Sequence, residues 1–161
     1  MKTLYLVRHA KAEDHSLLKN DFNRQIISKG KERATRIAQE LRKQLHIDDQ
    51  TLVISSSAIR AKQTAAIFCD ILAYPIDQIQ ETKEIYEAHF TDILAVINAV
   101  PDTVNKLVIF GHNPGLSNLT NYLSHADVNL ATSNVAILTL PEGFNFAALS
   151  GGTAHLKDTI Q

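Results

Sequence analysis

The sequence predicts an α/β fold: a three-layer sandwich with a mostly parallel central sheet, helices on both faces and an antiparallel C-terminal edge. Three observations carry this. Short runs of apolar β-formers alternate with stretches of helical periodicity, an order that joins parallel strands by crossovers. The last two strand-like runs are separated only by Pro141-Glu142-Gly143-Phe144-Asn145, which suits a hairpin and so an antiparallel edge. With 161 residues, 45% of them apolar, the chain has enough material for one domain with a real core and argues against disorder.

Taken in order, the strand-like segments are Thr3–Val7, Thr51–Ser55, Lys106–Phe110, Val135–Leu140 and Phe146–Ser150, with a weaker candidate near Ile79. Between the first two, Ala34, Ile37, Ala38, Leu41 and Leu45 fall on one helical stripe. Thr64, Ile67, Phe68, Ile71 and Leu72 form the next. Ile93, Leu94, Ile97 and Val100 form a third, closed by Pro101, and Leu116, Leu119 and Leu123 a fourth. The stretch from Ala10 to Ile27 carries little periodicity and is expected to drape over the end of the first strand. No repeat, low-complexity tract or interdomain linker interrupts the pattern, so residues 1–161 are expected to form a single domain.

Composition narrows the function. A net charge of -1 gives no reason to expect nucleic acid or an anionic membrane as partner, so any anion site must be local. Cys69 is the only cysteine and reads as a buried helix residue among Ile67, Phe68, Ile71 and Leu72. The apolar stretch before Arg8 is only four residues long, too short for a signal peptide, and no later run approaches a membrane span. A cytoplasmic location is the simplest expectation.

Three strand-to-helix junctions carry chemistry. In Leu6-Val7-Arg8-His9-Ala10 the first strand delivers a permanent cation and an imidazole to its carboxyl end, where open α/β sheets place their ligands. In Ser55-Ser56-Ser57-Ala58-Ile59-Arg60, Ser57 is a candidate N-cap, with Arg60 in the first helical turn. In Phe110-Gly111-His112-Asn113-Pro114-Gly115, Gly111 allows a sharp turn, Asn113 can cap a helix whose first residue is Pro114, and His112 sits beside the helix's free amides. Each junction alone could be an ordinary surface feature. Together they bring Arg8, His9, Arg60 and His112 to one edge of a parallel sheet. Two arginines and a protonated histidine suit a phosphoryl group of about two negative charges, leaving the other histidine to attack.

With these motifs in hand, the chain resembles the histidine phosphatase superfamily, of phosphoglycerate mutase-like fold, and within it the small bacterial SixA-type phosphohistidine phosphatases. Further elements of the resemblance are Asp21-x-x-Arg24 with Gly30 after it, Arg60-Ala61-x-Gln63-Thr64 and Ile85-Tyr86-Glu87-Ala88. The resemblance implies that His9 attacks phosphorus and is transiently phosphorylated. Arg8, Arg60 and His112 would hold the phosphoryl oxygens, and water would then release inorganic phosphate. It implies neither metal nor cofactor. Glu87 stands near the place of the family's leaving-group acid; a surface glutamate beside a helix start is the alternative. Arg24 and Asn113 are further substrate-binding candidates. His15, His46, His89, His125 and His155 match no part of the motif.

Only 24 residues lie between Glu87 and His112, which leaves no room for the insertions that wall in a small sugar acid in the mutases of this superfamily. An open pocket suits a phosphorylated protein, phosphohistidine above all. A small phosphoester is the alternative substrate, and a phosphate-binding protein without turnover a third reading. The sequence leaves the oligomeric state undetermined.

Overall fold

A computed structural model describes residues 1–161. Its elements are β1 (Thr3–Arg8), α1 (Ser28–Arg42), β2 (Thr51–Ser56), α2 (Ile59–Leu72), β3 (Gln80–Thr82), α3 (Phe90–Asn98), β4 (Lys106–Gly111), α4 (Gly115–Ser124), β5 (Val135–Thr139) and β6 (His155–Ile160). They form one six-stranded sheet of order β3-β2-β4-β1-β5-β6. The β1–β4, β4–β2 and β2–β3 pairs are parallel; β5 runs antiparallel to β1, and β6 antiparallel to β5. This is the mixed, three-layer arrangement that the sequence predicts. No helix is long and apolar enough to cross a membrane.

Strand alternation divides the core in two. Tyr5, Val7, Val53, Val108, Phe110, Val135 and Ile137 face α1 and α2, where they meet Ala34, Ile37, Leu41, Phe68 and Cys69. Leu4, Leu6, Ile54, Leu107, Ile109, Ala136 and Leu138 face α3 and α4, where they meet Ile93, Ile97, Leu116, Leu119 and Leu123. Both faces of the central strands are therefore apolar, as a sheet covered on both sides requires. In α2 the buried stripe is Ala61, Thr64, Ala65, Phe68, Cys69 and Leu72, with Ile67 and Ile71 only partly covered.

Four local expectations change. Phe146–Ser150 is not a strand: Phe146–Ala148 is a 3-10 turn started by the Asn145 side chain, which accepts from the Ala148 N–H at 3.0 Å. Asn98 Nδ2 donates to the Phe146 and Leu149 carbonyls at 2.8 and 3.2 Å, and the Phe146 ring plugs the core. Backbone groups that a strand would pair are thus used locally. The antiparallel edge is supplied later, by the largely exposed β6.

Ser57 does not cap α2; Ala58 holds that place, and the Ser56 hydroxyl accepts from the Ala58 N–H at 3.2 Å. Pro114 precedes α4, which begins at Gly115. Asn113 still caps this helix, its Oδ1 accepting from the Ser117 N–H at 3.2 Å. Gly111 is the last residue of β4 rather than a turn, and a Cβ there would press on Ile85 at 3.0 Å.

Candidate active site

Register sets the site. Arg8 is level with Gly111 across the β1–β4 pair, and Ser55 with Phe110 across β2–β4, so three parallel strands end side by side. The residues just beyond those ends are His9, His112 and, in the first turn of α2, Arg60. β5 runs the other way, so the loop before it arrives at the same edge. There the Ser133 N–H donates to the Arg8 and His9 carbonyls at 3.0 and 3.1 Å.

The motif on α2 then ties these pieces together. The Ala10 N–H donates to Thr64 Oγ1 at 2.8 Å, and that hydroxyl donates to the Arg60 carbonyl at 2.7 Å. One side chain therefore fixes the turn after His9 against the turn that carries Arg60. Gln63 Oε1 accepts from the Ile26 N–H at 2.8 Å and anchors the covering segment. Beside it the Ile27 N–H donates to the Lys11 carbonyl at 3.0 Å, which ties the two ends of that segment together. Gly30 lies so close to this carbonyl that a Cβ would collide with it.

The result is a cavity of about 430 Å³ lined by Arg8, His9, Lys11, Ala12, His15, Asp21, Arg24, Arg60, Glu87, His112, Asn113 and Thr132. Every residue named from the sequence as a site candidate is there. His9 and His112 are neighbours, with ring centroids 5.2 Å apart. His9 Nδ1 donates to the Ala10 carbonyl at 2.8 Å, because a carbonyl can only accept; the neutral ring therefore presents the Nε2 lone pair. His112 Nε2 meets the Ser56 hydroxyl at 2.8 Å, and its buried Nδ1 has no partner. Arg8 uses one terminal nitrogen on the Leu130 carbonyl at 3.0 Å, while the buried Nε atoms of Arg8 and Arg60 are unpartnered.

Asp21, in the covering segment, is the residue whose part the sequence does not reveal. Its Oδ1 accepts from Arg24 Nε and terminal nitrogen at 3.0 and 2.9 Å. Oδ2 accepts from Arg60 at 3.0 Å and from the Tyr86 hydroxyl at 2.6 Å. Four donors on two oxygens fill the carboxylate's capacity. Burial alone would raise its pKa, but hydrogen bonds from Tyr86, Arg60 and Arg24 and the Arg60 charge outweigh burial and hold it well below the usual carboxylate range. Burial and the Asp21 contact push the Tyr86 phenol up to about 12. His15, largely exposed, reaches Asp21 at 3.5 Å.

Electrostatics correct one expectation. Burial first, then the charges of Arg60, Arg8 and Arg24, push His9 down to about 4, against the help of the Ala10 carbonyl. Burial, His9 and Arg60 push His112 down to about 3. Burial and these charges therefore favour the neutral form of His112 rather than the protonated one, and its proton count becomes a response to any bound anion. Asn113 lines the cavity, but its amide Nδ2 donates to the Leu130 carbonyl at 2.7 Å and its Oδ1 serves α4, so its polar atoms are already employed. Glu87 is exposed at the rim, on a left-handed backbone (φ 49°). A metal site would need a cluster of carboxylate, imidazole or thiolate ligands, and no group of three or more is present.

Comparison with known proteins gives the arrangement its context. A comparison with curated protein sequences finds no match. Among solved structures, a SixA protein of Nakamurella multipartitia is 24% identical with a TM-score of 0.81, covering 99% of this chain and 95% of that one. A SixA protein of Agrobacterium tumefaciens is 24% identical with a TM-score of 0.79, covering 99% and 97%. The protein histidine phosphatase SixA solved with tungstate is 21% identical with a TM-score of 0.81, covering 99% and 96%. These likenesses establish the phosphoglycerate mutase-like fold. The family model of the histidine phosphatase superfamily, branch 1, matches residues 4–121, which span the chain from β1 through β4 and most of α4. The chain belongs to the histidine phosphatase superfamily.

Proposed function

We propose that this histidine phosphatase hydrolyses phosphohistidine on proteins through a phosphorylated His9, using no metal. One observation carries the reading: His9 is neutral and buried, its Nδ1 is tied to Ala10, and its Nε2 lone pair stands among cationic donors. In the first step Nε2 bonds to phosphorus as the substrate N–P bond breaks, and the departing imidazole takes a proton from solvent at the open mouth. In the second step a water oxygen attacks, the Nε2–P bond breaks, the water's proton leaves to solvent and inorganic phosphate departs.

Arg8, Arg60 and the Nδ1–H of His112 stabilise the equatorial oxygens, with Arg24 on the covering side. Three of these groups, Arg8, Arg60 and His112, bring buried donors that have no partner in the chain, and a phosphoryl oxygen supplies one. A bound dianion also favours the protonated form of His112, reversing part of the effect of burial. The neighbour solved with tungstate, a tetrahedral oxyanion, is in keeping with this use of the fold. Residues 1–161 act as one catalytic domain, because the site residues gather at one edge of a single sheet.

The leaving group follows from the carboxylates. Asp21 stays ionised and saturated, so it has no proton to give. Glu87 is exposed and backed by no other group, a weak arrangement for protonating an alkoxide. A phosphoramidate, whose departing imidazole protonates readily, needs such an acid less. Small phosphoesters are the second reading, with Glu87 as their acid.

The test is rapid mixing with radiolabelled phosphohistidine and a quench into alkaline denaturant, in which the N–P bond survives. Label should appear on wild-type protein and be absent from His9→Ala, and chelators should leave turnover unchanged. Turnover without a labelled intermediate would overturn the mechanism. A higher kcat/KM on every small phosphoester than on phosphohistidine would favour the second reading.

A further inference from the structure

We infer that Leu17 and Leu18, at the tip of the covering segment, form an apolar docking knob for the polypeptide that carries the phosphoryl group. The inference rests on the phosphohistidine reading for its chemistry but is tested apart from it. Both side chains are fully open to solvent, at 106% and 97% exposure. They occupy the two central positions of a tight turn closed by the Ser16–Lys19 bridge, with the Leu18 N–H donating to the Ser16 hydroxyl at 3.0 Å. Such positions ordinarily hold Gly, Asn, Asp or Ser, whose side chains favour the turn and water. Two leucines there serve neither the turn nor the core.

Their placement points to the occupant. His15 and Asp21, on either side of the turn, both line the cavity. Leu17 is two residues from His15, so the chain allows at most about 7 Å between their Cα atoms. Inside the cavity Ala12 is the single apolar lining residue; everything else is charged or polar. The cavity thus grips a phosphoryl group and offers only the Ala12 methyl as apolar contact to whatever bears it. The other large exposed apolar side chains, Met1, Ile76 and Tyr122, belong to other segments. A small phosphoester held in the cavity has no use for the knob. A polypeptide whose phosphorylated residue is flanked by apolar side chains reaches both.

Two pairs of peptides test this, one carrying phosphohistidine and one phosphoserine, each pair with either Leu and Phe or Ser and Gly flanking the phosphorylated residue. Half-burying two leucines predicts a wild-type preference for the apolar member of about thirtyfold in kcat/KM, mostly through KM. Leu17→Ser combined with Leu18→Ser should erase that preference. It should leave free phosphohistidine turnover and the thermal midpoint unchanged, since neither side chain is packed. Equal rates on the apolar and polar members, or a preference that survives the double variant, would overturn the knob. Wild-type binding to anionic lipid vesicles that the double variant loses would also overturn it, assigning the leucines to a membrane. Cleavage confined to the phosphoserine pair would instead refute the phosphohistidine reading, while the flank preference still judges the knob. A chain that cuts neither pair refutes both.

Discussion

Ser56→Ala isolates how His112 is set to donate. In the intact site the Ser56 hydroxyl lies 2.8 Å from His112 Nε2, and both residues are buried. Because the ring is neutral, only one of its nitrogens carries a proton. A hydroxyl that donates to Nε2 places that proton on Nδ1, the nitrogen left without a partner. Removing the hydroxyl leaves Nε2 unpaired and removes the preference between tautomers. An orphaned buried polar group costs about 1–3 kcal/mol. Carried into the transition state, that loss lowers kcat/KM between about 5-fold and 150-fold.

The same change, taken at about 2 kcal/mol in a chain of this size, lowers Tm by roughly 4–8 °C. Two measurements separate local from global damage. Steady-state phosphate release gives kcat/KM well below Tm, where the variant is folded. Nitrogen-15 NMR of labelled histidine gives the His112 tautomer directly, expected as Nδ1–H in wild type and mixed in the variant. A variant within twofold of wild type in kcat/KM, or a wild-type ring protonated at Nε2, would refute the reasoning.

Three further outcomes follow from the geometry. His9 and His112 have folded pKa values near 4 and 3, below the usual imidazole value of about 6.5, so the unfolded chain binds more protons in acid. Stability should be complete above about pH 6.5 and fall by several kcal/mol as pH drops toward 4, read by urea melts at each pH; a pH-independent midpoint over that range would contradict the burial argument. Asp21→Asn should cost about 3 kcal/mol by removing the counter-charge of Arg24 and Arg60. Vanadate should then raise its Tm more than that of wild type, and an equal rise would show that Asp21 does not balance those cations. Gly30→Ala drives a Cβ into the Lys11 backbone and should destabilise by more than about 2 kcal/mol in a denaturant titration, whereas a neutral result would mean that the covering segment yields freely.

What the sequence makes legible is tied to the ends of strands. Arg8, His9, Arg60 and His112 each follow an apolar run whose direction and register are set by the core, so their convergence is readable from pattern alone. Asp21 is different. It lies on a segment without periodicity, its partners Arg60 and Tyr86 are 39 and 65 residues away, and no local signal announces them. The nearest hint is Asp21-x-x-Arg24, a carboxylate and a guanidinium at a spacing that one turn brings together. Nothing near Ser56 in the sequence announces its part, since its hydroxyl meets a histidine 56 residues away. Phe146 misleads for another reason: a short apolar run reads alike as a strand and as a plug, and Asn98 decides between them from a distance.

Thr64 has the widest consequence for how such a site can change. Its hydroxyl joins the turn behind the nucleophile to the turn behind a phosphate-binding cation, so the separation of the two is gauged by one atom. His9 is pinned to the sheet through the Gly111 carbonyl while Arg60 rides on α2, so a slide of the helix against the sheet strains one of the two Thr64 hydrogen bonds before the spacing of nucleophile and cation can change. A redesign that repacks the α2 face has to keep this oxygen in place.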